Sequence, residues 1–165
     1  MKSDILPQLY TQFVGSAPIE TIELPASGSN RRYYRLLGKE SIIGVIGTCK
    51  EENESFIYLA KHFKEKNLPV PKVYAIADDN MAYIQEDLGD DILFKAIEKG
   101  RLTRSFSNEE KDLLIKTIRM LPDVQFSGAI GLDFNKCYPL AEFDTRTIMW
   151  DLNYFKYCFL KATGL

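Results

Sequence analysis

Histidine, paired cysteines and long hydrophobic runs are what this 165-residue chain has least of. The three cysteines, Cys49, Cys137 and Cys158, stand far apart and form no C-x-x-C, so neither a disulfide framework nor a zinc ribbon is expected. His62 is the only histidine, and no ligand cluster surrounds it in the sequence, so no metal site is expected. The longest apolar stretch, around "IIGVIG", is far shorter than the roughly 20 residues needed to cross a bilayer. The opening "MKSDILPQLY" carries Asp4 and Pro7 and has no apolar core of the kind a signal peptide needs. Together these absences predict a cytoplasmic chain with reduced thiols and no membrane partner. Charge of one sign is also lacking. The 21 Lys and Arg against 23 Asp and Glu leave a net charge of -2, which excludes the basic surface of a nucleic-acid binder. Any anion site must therefore be local.

What is present is enough for a core. Hydrophobic residues make up 45% of the chain and aromatics 12%, sufficient for one domain or two small subdomains. No repeat or low-complexity segment interrupts it. In "SDILPQLYTQFVG", Ile5, Leu9 and Phe13 fall at helical spacing before Gly15 and predict a short amphipathic helix. Three β-prone runs follow, "ETIEL", "RRYYRLL" and "SIIGVIG", separated by turn residues as in an antiparallel meander. The next segment places Phe56, Leu59, Ala60 and Phe63 on one helical stripe, with Lys61, Lys64 and Glu65 opposite. That helix is expected to end near Asn67, before Pro69 and Pro71. "KVYAIADDNMAYIQEDLG" reads as a hairpin turning at Asp78, Asp79 and Asn80.

After Gly89 the pattern becomes helical. "DDILFKAIEKG" predicts a short helix closed by Gly100, and "SNEEKDLLIKTIRMLP" a longer one opened by a Ser107–Glu110 capping box. Leu114, Ile118 and Leu121 are expected on its buried face. The last helix, from "DTRTIMWDLNYFKYCFLKATG", is apolar nearly all round, from Ile148 to Leu160, and such a helix belongs in the middle of a large core.

"ASGSNRRYYRL", "ENESFIYLAKHFKEKNLPVPKVYAI", "YIQEDLGD" and "WDLNYFKYCFLK" together resemble the phosphotransferase family of aminoglycoside phosphotransferases and choline kinases. The branch they resemble most is that of the kinases that phosphorylate cell-wall amino sugars, N-acetylmuramate and N-acetylglucosamine, at the anomeric carbon. The resemblance runs from Ile22 to Leu160 and implies an α+β fold: a protein-kinase-like N-lobe, then the first helices of an incomplete helical C-lobe. The N-lobe would be a five-stranded antiparallel sheet with one inserted helix. With the N-terminal helix, expected within 1–18, the chain would divide into that helix, an N-lobe over 19–88 with its hinge at 85–88, and a partial C-lobe over 89–165 that lacks the catalytic and metal-binding loops. Ser27, Gly28, Ser29 and Asn30 would cover the phosphates. Glu54 would match the helix glutamate that pairs with a third-strand lysine. Gln85, Glu86, Asp87 and Leu88 would form the hinge whose backbone holds the adenine edge of ATP.

Two departures accompany the resemblance. The third strand, Ser41 to Thr48, has no lysine; Lys50, Arg31, Arg32 or Arg35 would have to supply the cation, with Arg32 among the expected nucleotide contacts. No H-x-D-x-x-x-x-N pattern occurs, so no catalytic residue and no metal ligand is assigned. The resemblance thus implies the N-terminal part of a small-molecule kinase, from a shortened gene reading or a deliberately shortened chain, inactive alone. It would bind a nucleotide, with magnesium only in the complete enzyme and the acceptor only with the absent lobe. Plainer readings stand beside these. A half-buried strand with snorkelling arginines explains Arg31 to Arg35 equally well. A generic turn explains Ser27 to Ser29, and an acidic helix start explains Glu54. His62 is expected to be exposed. A non-catalytic binding module, self-associating or partnered through its last helix, and a small α+β protein with no nucleotide site remain alternatives.

Overall fold

The computed structural model describes residues 4–25, 28 and 30–163. Alternation of side chains along "RRYYRLL" sets the architecture, because the two faces of that strand meet two different helices. Strands β1 (Glu20–Glu23), β2 (Arg32–Leu37), β3 (Ser41–Ile46), β4 (Val73–Ile76) and β5 (Ala82–Glu86) make one antiparallel sheet of 5 strands in the order β1-β2-β3-β5-β4. In its register Arg32 lies opposite Ile46 and Leu37 opposite Ser41, while Ile43 lies opposite Gln85.

On one face, helix α1 (Ile5–Val14) buries Leu6, Leu9 and Tyr10 against Leu36, Ile42, Ala82 and Ile84. It stops at Gly15, whose φ of 84 is a left-handed conformation that glycine adopts without a Cβ penalty. Tyr10 is fully buried, and its hydroxyl donates to Glu40 O at 2.8 Å and accepts from Glu40 N at 3.1 Å. On the other face, helix α2 (Lys50–Glu65) sets Ile57 and Phe56 against Ile43, Val45, Tyr83 and Tyr33. The buried positions of α2 are Asn53, Ser55, Ile57 and Ala60. The expected stripe therefore holds at Ala60, with Phe56 partly buried against the same cluster. Its centre is Ile57, with Leu59 only half-buried. The helix gives way at Lys66, and Asn67 takes a φ of 58 before Pro69.

Tyr83 is fully buried and stacks on Phe56 with ring centroids 5.2 Å apart, yet its hydroxyl meets no hydrogen-bond partner among the described residues. Burial holds its ionisation well above the usual tyrosine range. Tyr83→Phe removes only that unsatisfied atom, so it is expected to leave stability unchanged or raise it by up to about 1 kcal/mol. Urea denaturation checks this; a loss larger than 1 kcal/mol would reveal a partner for the hydroxyl.

Beyond the sheet the chain forms α3 (Leu93–Ala96), α4 (Glu98–Thr103) and α5 (Asn108–Pro122), which runs into a π-helical turn, Asp123–Ser127. Gly100 does not close a helix as expected; it lies inside α4, which is capped by Arg104. Its absent side chain is used for close approach, since a Cβ there would stand 2.2 Å from the Phe106 ring. Its N–H donates to Glu110 Oε1 at 2.8 Å. The capping box forms as expected, Glu110 N donating to Ser107 Oγ at 3.2 Å and Ser107 N to Glu110 Oε2 at 2.8 Å.

Of the expected buried face of α5, Leu114 is half-buried and the other two residues are not. Ile118 is 63% exposed and Leu121 51%, because no described element packs over them. His62 departs the other way: it is half-buried, its Nε2 2.8 Å from the Gly128 carbonyl.

The chain divides into two compact units, Met1–Leu132 and Asp133–Leu165. In the second, Asp144 caps α6 (Thr145–Tyr154) by accepting from Thr147 N at 2.8 Å, and a π-helical segment, Phe155–Leu160, continues it. Trp150 stacks on Tyr154 and Phe155 on Phe159, and these rings are exposed, with no large core around them among the described residues. No helix among the described residues is long and apolar enough to cross a membrane.

Candidate functional site

The α2 face of the sheet carries charge at both ends of one strand edge. Period-two alternation puts Arg31, Tyr33 and Arg35 on that face, around an apolar middle of Ile43, Val45 and Tyr83. At one end, the Arg31 side chain is only 9% exposed, and its Nη2 lies 3.1 Å from Glu52 Oε1. The same nitrogen donates to the Glu52 backbone carbonyl at 3.0 Å, while the guanidinium sits 5.1 Å over the Phe56 ring. One arginine thus ties the start of β2 to the first turn of α2 through charge, backbone and ring.

At the other end, Arg35 holds the segment that leaves β5. Its Nε donates to Asp87 Oδ2 at 2.7 Å and its Nη2 to Asp87 Oδ1 at 3.1 Å. Nη1 and Nη2 each donate to an Asp90 oxygen at 3.0 Å. Ser41 Oγ and Gly89 N also donate to Asp87. Burial pushes the Asp87 carboxyl up, but the donors from Arg35, Ser41 and Gly89 outweigh it and hold it below the usual range. Arg35 likewise holds the Asp90 carboxyl low, and the two carboxylates, Asp90 first, keep Arg35 charged well beyond any working pH.

An acid whose folded pKa lies below its unfolded value stabilises the fold above the unfolded value, and that contribution is lost as pH falls through the folded one. The chain should therefore lose stability below about pH 4. Asp90→Asn, which removes one of the titrating partners from an exposed position, should flatten that loss. Urea midpoints at neutral and acid pH measure it, and an unchanged acid slope in the variant would contradict the assignment.

The expected site residues fall in several places. Ser27 and Ser29 lie outside the described residues. Gly28 is exposed with a φ of 59, and Asn30 is exposed beside it. Arg32 points to the other face, where it makes an exposed two-bond pair with Glu23 at 2.8 and 2.9 Å. Glu54 pairs with no β3 residue; it lies 3.6 Å from Lys50 Nζ and accepts from Asn80 Nδ2 at 2.8 Å. Glu52 is the α2 carboxylate that meets a sheet cation. Gln85 is half-buried beside Ile43, and its Oε1 is buried with no partner among the described residues. The Glu86 carboxylate accepts from Lys72 N at 3.0 Å, while the Leu88 side chain is 65% exposed.

Sequence reasoning missed Glu52, Asn53, Ser41 and Asp90. The run "KEENES" offers four acidic or amide side chains in succession, and only the phase of α2 against the sheet selects Glu52 and Asn53. Asn53 is fully buried and donates from Nδ2 to the Asn80 carbonyl at 2.9 Å, so it fastens α2 to the β4–β5 turn. The chain matches no protein-family model, and none of the curated proteins matches it.

Proposed function

We propose that this chain is the nucleotide-facing part of an ATP-dependent small-molecule kinase of the phosphotransferase family, with an amino sugar as acceptor. The observation that carries the reading is the Arg31–Glu52 ion pair, which joins the sheet to the one helix inserted between β3 and β4. A kinase-like N-lobe needs a cation fixed by a helix carboxylate near the phosphates. With no lysine on β3, Arg31 fills that role from the neighbouring strand and Glu52 replaces Glu54 as its partner. Gly28 and Asn30 would approach the phosphates with exposed backbone. The segment from Gln85 to Leu88, held in place by the clamp on Asp87, would present its backbone to adenine.

The residues present suit binding more than chemistry. No H-x-D-x-x-x-x-N pattern supplies a proton acceptor for the acceptor hydroxyl. Among the described residues no cluster of three or more acidic, histidine or cysteine side chains is placed to hold a metal ion, and in this reading magnesium would arrive with the nucleotide, held by its phosphates. The chain alone is therefore inert in phosphoryl transfer, and the acceptor would bind to residues beyond it.

The uncovered apolar stripe Ile115, Ile118 and Leu121 favours a second reading, a non-catalytic module that engages a partner through its helices. Thermal-shift titration with ATP·Mg²⁺ and ADP separates the two. Saturable stabilisation by both, weakened in Arg31→Met, is expected of the nucleotide site; no shift at millimolar nucleotide would remove that site and leave the non-nucleotide readings.

A further inference from the structure

The sheet face opposite α2 holds a recess that the nucleotide reading does not use. It lies beside the β4–β5 turn and has a volume of about 360 Å³. Ile5 from α1, Ile46 from β3, and Met81 and Ala82 at the start of β5 give it apolar walls. Asp78 and Asp79 from the turn also line it, beside Gly47 and Ala77, and none of its described lining residues is basic. Such walls take a hydrocarbon body, and two adjacent carboxylates favour a positive group over a neutral or negative one.

We propose that this recess is an effector site for a small amphipathic amine, an ammonium group on a short alkyl or aryl body. Its effect would pass to α2 through Asn80, which lies between the lining residues Asp79 and Met81. The Asn80 carbonyl accepts from Asn53 Nδ2 at 2.9 Å, and Asn80 Nδ2 donates to Glu54 Oε1 at 2.8 Å. The turn is itself shaped by Asp79, whose Oδ1 accepts from Met81 N at 2.9 Å. An ammonium drawn to Asp79 competes for that oxygen. Any shift of the turn is then felt at the first turns of α2, where Glu52 meets Arg31.

The test is a titration of the ¹⁵N-labelled chain with hexylammonium, and with hexanol and hexanoate as neutral and anionic matches. Hexylammonium is expected to move the amide signals of Ile5, Asp79 and Met81 first, and those of Asn53 and Glu54 with the same saturation. Asp78→Asn/Asp79→Asn, a change at exposed positions, should weaken hexylammonium about fivefold and leave hexanol unchanged. Added salt should weaken the ammonium alone. Equal binding of all three probes, or no localised shift at millimolar concentration, would overturn the site. Local shifts that never reach Asn53 and Glu54 would overturn its coupling to α2. The nucleotide titration is independent of every one of these outcomes.

Discussion

Arg35→Met is expected to lower folding stability by about 3 kcal/mol. The Arg35 side chain is 17% exposed and that of Asp87 only 8%. Removing the guanidinium leaves the Asp87 carboxylate buried with Ser41 Oγ and Gly89 N as its remaining donors, and a largely buried charge without its counter-ion is costly. Methionine keeps most of the side-chain length, so the loss reports charge and hydrogen bonds more than packing. Asp87→Asn should recover part of the stability when combined with Arg35→Met, because the orphaned charge is then gone. Chemical denaturation of the two single variants and the double variant measures this as a coupling energy. Additive effects would show that the pair contributes no net interaction.

Gly47→Ala is expected to cost about 2 to 4 kcal/mol, a large effect for one added methyl group. A Cβ at Gly47 would stand 2.2 Å from Asn53 Nδ2 and 2.4 Å from Asn53 Oδ1. Asn53 is fully buried and cannot swing into solvent without breaking its bond to the Asn80 carbonyl. The methyl group therefore either displaces α2 from the sheet or leaves a buried amide unpaired. Amide exchange should locate the damage in the first two turns of α2 and in the β4–β5 turn, with α1 and its face of the sheet still protected. A variant as stable as the parent would mean that α2 can shift at no cost.

The contrast between these two sites explains how far the sequence could be read. Short-range order was legible. Alternation in "RRYYRLL" separates Tyr34 and Leu36 from Tyr33, and the structure packs those residues on opposite faces. Ile5 and Leu9 mark the inner stripe of α1, and Ser107 with Glu110 marks the start of α5. These signals depend on neighbours within one or two helical turns. The clamp was not legible, because Arg35 and Asp87 are 52 residues apart and nothing local distinguishes Arg35 from Arg31 or Arg32. Each of the three arginines has its own partner: Glu52 for Arg31, Glu23 for Arg32, Asp87 and Asp90 for Arg35. Helix phase hid Glu52 behind Glu54, and close packing made Gly100 resemble a helix stop. The amphipathic pattern of α5 was read correctly as apolar. What it could not reveal is that Ile118 and Leu121 have no described element over them.

The most direct measurement of the central claim is residue-resolved nucleotide mapping, by amide exchange or NMR, with ATP·Mg²⁺ added to the whole chain. The account predicts perturbation in two separated segments at once, Gln85 to Leu88 and the stretch from Gly28 to Arg31. Perturbation that misses either segment, or none at millimolar ATP, would contradict it.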